Sequence, residues 1–217
     1  VIRLVVFASG EGSNLQAILD AVDAGALDAR VTAVASDNPG CRALERAAAR
    51  GIWTAAARRA DHPDKAAFER ALRVGIAPAG PFDAAVLAGY MRVAGPELRD
   101  GMPWMVNIHP SLLPAFPGLR AIERALEAGV PETGCTVHLV DEGIDTGPVL
   151  ARAVVPVEPG DDAQRLRARI QAAEHRLLPA VLGWLAAGRL SLIGGRVHLD
   201  REPVGETGVT IDPKGGA

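Results

Sequence analysis

Leu4-Val5-Val6-Phe7-Ala8, then Ser9-Gly10-Glu11-Gly12-Ser13-Asn14, then Leu15, Ile18, Leu19 and Val22 at helical spacing: this stretch decides the fold. The first five residues are apolar throughout and rich in β-branched side chains, which suits a strand buried on both faces of a parallel sheet. The i, i+3, i+4, i+7 spacing after the glycines is that of an amphipathic helix. The unit of strand, glycine loop and helix repeats loosely downstream. Val31 to Ala35 reads as a strand, Arg42 to Arg50 as a helix ended by Gly51, the region near Ile52 as a short strand, and Asp64 to Val74 as a helix ended by Gly75. Ala84 to Leu87 and Trp104 to Ile108 continue as buried strands, the second stopping where Pro110 removes a backbone donor. Such alternation predicts the α/β class, with a doubly wound, mostly parallel sheet.

Beyond Pro110 the pattern changes. A Pro-rich loop and a helix over Ala121 to Ala128 precede Cys135 to Val140 and Val149 to Val157, where polar and apolar positions partly alternate as in a mixed or antiparallel C-terminal part. A long helix over Asp162 to Ala187, bent at Pro179, leads to a hairpin of Leu190 to Ile193 and Val197 to Leu199 around Gly194-Gly195. From Arg201 the Gly, Pro and acidic content points to a loose tail. The expectation is one domain over residues 1–200 and a flexible tail over 201–217.

The 217 residues are 48% hydrophobic, with 23 Lys plus Arg against 26 Asp plus Glu. That is enough for one fair-sized domain or two small ones, and it excludes disorder, a coiled coil and a disulfide-stapled scaffold. A net charge of -3 gives no general attraction to a phosphate backbone, so nucleic acid is not expected as a partner. The longest apolar runs, Leu4 to Ala8 and Pro179 to Ala187, fall far short of the roughly 20 residues that span a bilayer. With no signal-peptide pattern before Gly10, no membrane partner and a cytoplasmic location are expected. Cys41 and Cys135 lack ligand spacing and read as small buried residues. Trp53, Trp104 and Trp184 sit in apolar settings and read as core.

Three segments carry chemistry. The loop Gly10-Glu11-Gly12-Ser13-Asn14 leads into a helix start, where free N–H groups and the positive end of the dipole favour an anion such as phosphate. Leu15 stands where a dinucleotide fingerprint needs its third glycine, so a nicotinamide cofactor is not supported. The other reading is a tight turn capped by Ser13 or Asn14, and the anion reading requires Glu11 to point away. In Val106-Asn107-Ile108-His109-Pro110 the strand period of two puts Asn107 and His109 on one face. An amide and an imidazole there can donate to a developing oxyanion, worth roughly 3 kcal/mol per good donor; the alternative is a histidine that satisfies loop carbonyls. Asp141-Glu142-Gly143-Ile144-Asp145-Thr146-Gly147-Pro148 joins two strands and is, on its own, equally a solvated acidic turn. It lacks the alternating oxygen ligands of a calcium loop. His62 and His198 read as surface residues and His138 as a support to the site. Glu174 and His175 diverge by about 100° on a helix, which argues against a metal pair.

Taken together, SGEGSNLQAI at Ser9 to Ile18, LAGYMR at Leu87 to Arg92, NIHPSLLP at Asn107 to Pro114 and DEGIDTGPV at Asp141 to Val149 closely resemble the glycinamide ribonucleotide formyltransferases of purine synthesis. The resemblance runs to about Leu199 and implies a Rossmann-like formyltransferase fold. It implies Asn107, His109 and Asp145 as a catalytic trio, and Gly12, Ser13 and Asn14 as the holder of the substrate phosphate. Glu174 would grip the ribose hydroxyls. Met91, Arg92, Val93 and Ala94 would line the folate pocket, joined by Asp141 and, as a weaker match, Lys65. Arg120 departs from the histidine that relatives often carry there, and Glu11 varies in type. The implied donor is 10-formyltetrahydrofolate and the acceptor the amine of glycinamide ribonucleotide, with no metal, in a monomer or homodimer. A protonated His109, favoured by Asp145, is the expected donor to the formyl oxygen of a tetrahedral intermediate. The rival readings are hydrolysis of the same folate, expected to come with an added N-terminal domain, and a non-catalytic nucleotide-phosphate sensor.

Overall fold

The computed structural model describes residues 1–102 and 104–212. The backbone gathers into two compact units, Val1–Asn107 and the chain from Ile108 onward. The first holds β1 (Ile2–Phe7), α1 (Ser13–Asp23), β2 (Ala29–Ser36), α2 (Arg42–Ala49), β3 (Trp53–Ala56), α3 (Lys65–Ile76), β4 (Ala84–Leu87) and α4 (Pro96–Arg99). β5 (Met105–His109) carries the chain from the first unit into the second. The strands of the first unit pair in parallel, in the order β3-β2-β1-β4-β5.

Leu4, Val5, Val6, Phe7 and Ala8 are fully buried, as are Val34 and Val86 beside them. Burial on both faces is why these runs do not alternate, and each large side chain so placed contributes about 1.5–3 kcal/mol. Gly12 is the N-cap of α1, at φ +72°. A Cβ there would lie 2.8 Å from that of Ala43, so the backbone conformation and the approach of α2 both demand glycine. The cap expected from Ser13 or Asn14 is therefore Gly12 instead.

Three further expectations change. α3 starts at the Asp64 cap, whose carboxylate accepts the Ala67 N–H at 2.7 Å, and runs through Gly75 to Ile76. Gly75 does not end the helix; it admits Ala55, whose Cβ would sit 2.9 Å from an added side chain. Trp53 lies on the edge strand β3, 47% exposed, with its indole N–H on the Gly75 carbonyl at 2.8 Å, so it is not core. Trp104 and Trp184 are half-buried. Cys41 and Cys135 are buried and free, as expected.

The second unit holds α5 (Ala121–Glu127), β6 (Glu132–Leu139), β7 (Val149–Pro156), α6 (Ala163–Ala186), β8 (Leu190–Ile193), β9 (Arg196–Leu199), β10 (Glu202–Pro203) and β11 (Val209–Thr210). β6 and β7 are antiparallel, from Glu132↔Pro156 to His138↔Val149. β8, β9 and β10 form a small antiparallel sheet. Its first turn is Gly194-Gly195, both at positive φ, as a two-residue turn of matching twist requires. α6 continues through Pro179.

Within residues 201–212, which the sequence reading gives to the tail, two short strands form. β10 pairs with β9, β11 runs parallel to β7, and the Ile211 N–H donates to the Arg152 carbonyl at 2.9 Å. Main-chain pairing along an open strand edge needs no apolar composition, which is why composition missed it. The rest of the tail reading, residues 213–217, lies outside the described residues. No helix among those described is long and apolar enough to cross a membrane.

Two glycines of the second unit separate steric need from backbone freedom. A Cβ on Gly134 in β6 would fall 1.9 Å from the Ala153 carbonyl oxygen, whereas one on Gly183 in α6 meets nothing within 4 Å. Gly134→Ala is expected to cost about 1–3 kcal/mol of unfolding free energy in urea titration. Gly183→Ala is expected to be neutral or to gain up to about 1 kcal/mol.

Candidate active site

In the second unit, His109 ends β5 at 6% exposure, immediately before Pro110. Its Nε2 lies 2.9 Å from the Phe116 carbonyl and its Nδ1 3.2 Å from Oδ2 of Asp145. Oδ2 also accepts the Gly118 N–H at 2.7 Å, while Oδ1 lies 3.5 Å from Nε2 of His138. His138 is in turn fixed by its Nδ1, 2.8 Å from the Leu139 carbonyl. Asn107, two residues before His109 on the same strand, shares its face by the strand period and is half-buried.

Asp145 sits at φ +55°, a left-handed conformation that Asp tolerates better than most residues. Its loop folds around side-chain bonds: Oδ1 of Asp141 accepts the Gly143 N–H at 3.0 Å and the Thr146 hydroxyl at 2.8 Å. A Cβ on Gly147 would meet the Leu139 carbonyl at 1.9 Å. The acidic turn is thus a built loop, and Oδ1 of Asp141 shapes it.

Burial alone would raise the Asp145 carboxyl, but the hydrogen bonds from His138 and the Gly118 N–H, with the nearby imidazoles, bring it down to about 2. The carboxylate is charged at any working pH. Burial pushes the His109 imidazole below its ordinary value, against the Phe116 carbonyl and Asp145, which both favour the cation. Burial thus favours the neutral ring at rest, against the pull of Asp145 toward the imidazolium. Glu174 is 6% exposed on the face of α6 that also buries Ile170 and Leu178. Burial first, and Glu174 second, push the Cys135 thiol up, so it is no nucleophile.

In the first unit, the Gly10 carbonyl accepts the Ala43 N–H at 3.1 Å and the Glu11 carbonyl accepts Nε of Arg46 at 2.9 Å. The Glu11 carboxylate turns to Arg42 at 3.3 Å, the outward orientation that an anion at this loop requires. α1 has no acidic residue in its first turn; Ser13 is half-buried and Asn14 buried there. Leu87, Tyr90 and Ala94 are buried, whereas Met91 is 66% and Val93 43% exposed, so the expected apolar slot presents its two outer side chains to solvent. The Met91 N–H is already donated to Oγ of Ser9 at 2.9 Å. Lys65 lies 3.7 Å from Glu69, a 2% exposed carboxylate that accepts the Gly95 N–H at 2.6 Å.

Sequence reasoning missed Gly118, Phe116, Ser9 and Glu69. For Glu69 a signal existed, because it shares the buried stripe of α3 with Phe68, Leu72 and Ile76. For Gly118 and Phe116 none did, since main-chain groups leave no mark in residue type. Among the described residues no group of His, Cys, Asp and Glu could hold a metal ion.

Residues 2–182 match the formyl transferase family. The chain is 45% identical over 201 residues to phosphoribosylglycinamide formyltransferase of Mycobacterium tuberculosis strain H37Rv, covering 92% of each protein. It is similar to the solved structure of phosphoribosylglycinamide formyltransferase from Coxiella burnetii in complex with CHES, at 38% identity and a TM-score of 0.88, over 97% of this chain and 99% of the other. It is also 44% identical over 191 residues to the trifunctional purine biosynthetic protein adenosine-3 of Drosophila pseudoobscura pseudoobscura, of whose length it spans 14%. With a family match over most of its length, this chain belongs to the formyl transferase family.

Proposed function

We propose that this protein transfers the formyl group of 10-formyltetrahydrofolate to the primary amine of glycinamide ribonucleotide; its relatives are named phosphoribosylglycinamide formyltransferases, which supports the reaction class. The observation that carries the reading is a buried imidazole, His109, between a carbonyl and a carboxylate held ionised at Asp145. On this reading Gly12, Ser13 and Asn14 take the substrate phosphate and Glu174 the ribose hydroxyls. Exposed Met91 and Val93 beside buried Leu87 and Tyr90 fit a flat heteroaromatic ring. Because the Met91 N–H is engaged by Ser9, the ring's polar edge falls to main-chain groups of Arg92, Val93 and Ala94; Lys65 and Asp141 are assigned to the same ligand. The donor brings a formyl carbon already activated for transfer, so the reaction needs no metal.

The protein's part is to place donors and move a proton. Asn107 and His109, on one face of β5, meet the oxygen that gathers charge as the amine adds. His109 takes the amine's proton at Nε2 and passes it to the folate nitrogen, so that the carbon–nitrogen bond of the tetrahedral intermediate breaks and tetrahydrofolate leaves, while Nδ1 stays on Asp145. Asp145 stabilises that cation without itself being protonated. For His109 to face substrate, the Phe116 carbonyl must leave Nε2. The partners are these two small molecules rather than nucleic acid or a membrane, the location is the cytoplasm, and the working form is a monomer or homodimer.

A spectrophotometric assay with the folate donor, run with and without glycinamide ribonucleotide, tests the reading. Turnover only with the amine supports transfer, and equal turnover without it would make the protein a hydrolase. His109→Ala and Asp145→Asn are each expected to lower kcat/KM by about 100-fold or more, the double variant being little worse than the poorer single. Losses that multiply would assign them to separate steps.

The charge states also set an acid profile. His109 is lowered in the folded protein, so its contribution to stability is complete above its ordinary value of 6.5 and declines as pH falls below it. Asp145, at about 2 against an ordinary 3.8, contributes fully above 3.8 and loses its contribution as pH falls toward 2. Thermal unfolding is expected to show both declines in the wild type. Asp145→Asn should show a shallower lower decline, since Asp83, also lowered to about 2, keeps its own share, and an unaltered low-pH profile in that variant would mean the carboxylate is not held ionised by its neighbours.

A further inference from the structure

Ser9, Asp37 and the Arg92 side chain form a linked set in the first unit. The Ser9 hydroxyl donates to Oδ1 of Asp37 at 2.5 Å and accepts the Met91 N–H at 2.9 Å. The other oxygen of Asp37 accepts Nε of Arg92 at 2.6 Å, and the Asp37 side chain is only 10% exposed. The Arg92 guanidinium stands 5.6 Å from the centre of the Phe68 ring on α3. The Ser9 N–H donates to the Gly89 carbonyl at 3.0 Å, and Nδ2 of Asn38 reaches the Ser9 carbonyl at 3.4 Å. One carboxylate on the loop after β2 thus ties the exit of β1 to the exit of β4, with both of its oxygens in charge-assisted bonds.

The tie matters because residues 88–95 belong to no helix or strand. A segment without its own ladder takes its place from side-chain bonds, and Met91 to Arg92 has Asp37, directly and through Ser9. The glycine loop differs: it has tethers of its own, from Ala43 to Gly10 and from Arg46 to Glu11.

We infer that Asp37 is a positioning residue for the formyl donor, holding the main chain of Met91 to Ala94 in place through Ser9 and Arg92. The inference rests on the reading that this segment lines the donor's site. It is tested with Asp37→Asn, Ser9→Ala and the double variant. Asparagine keeps the shape and one acceptor oxygen, but sets an NH2 group against either the Ser9 hydroxyl or the Arg92 guanidinium. Asp37→Asn is expected to raise KM for 10-formyltetrahydrofolate and Kd for tetrahydrofolate by about five- to tenfold, while KM for glycinamide ribonucleotide stays within about twofold. The double variant should be less than multiplicatively worse than the singles, because both changes act on the one network centred on Asp37. Equal rises for both substrates, unchanged folate binding, or loss of the cooperative thermal transition in Asp37→Asn would each overturn it. A wild-type protein that binds tetrahydrofolate but formylates no ribonucleotide would count against the transfer reading, and the Asp37→Asn shift in tetrahydrofolate Kd would then decide this inference by itself.

Discussion

A carboxylate that is mostly out of water must be paired, and the second unit around Asp145 is organised by that requirement. The Gly118 N–H and the imidazoles of His138 and His109 surround its two oxygens, and together they outweigh burial. Meeting three partners from a short turn forces the left-handed backbone at Asp145. It also excludes side chains at Gly143 and Gly147, where a Cβ would meet Thr146 and the Leu139 carbonyl. Asp141, which looks in sequence like one more acid of a charged turn, fastens that turn through Gly143 and Thr146. The strain of a non-glycine residue in this region, of order 1–3 kcal/mol, persists because the surrounding bonds over-determine it.

In the first unit the corresponding constraint is the burial of β1 on both faces. A strand between β2 and β4 with every side chain from Leu4 to Ala8 shut from water can change direction only beyond Ala8. The residues that follow must leave the sheet at once. Gly12 takes the left-handed cap that starts α1, and its missing side chain lets α2 approach through Ala43. Ser9, at the same exit, serves the neighbouring strand end through Met91. Function collects where the strands end because only there does main chain emerge without ladder partners.

What sequence shows follows from the range of the forces involved. β1, β4 and the helix from Arg42 are legible because hydrophobic period is local. Asn107 and His109 are legible as a pair because they share one strand. Asp145 finds His109 across 36 residues, a contact no period encodes, and only the family resemblance joins them in advance. Gly75 and Trp53 differ from their sequence reading for one reason: each is decided by a partner elsewhere in the chain, respectively Ala55 and the Gly75 carbonyl. The resting charge of His109 was illegible for a related reason, since burial is a property of the packed unit and it outweighs the neighbouring acid that the sequence did reveal.

That resting charge bears on how a site can be both inert and ready. An imidazole flanked by two acceptors has one proton to offer them while neutral and two once protonated, so its surroundings are better satisfied after it accepts a proton than before. Burial supplies the opposing force that keeps the proton off until a stronger claim arrives. The 6% exposure of His109 and the ionised Asp145 therefore act on the ring in opposite directions.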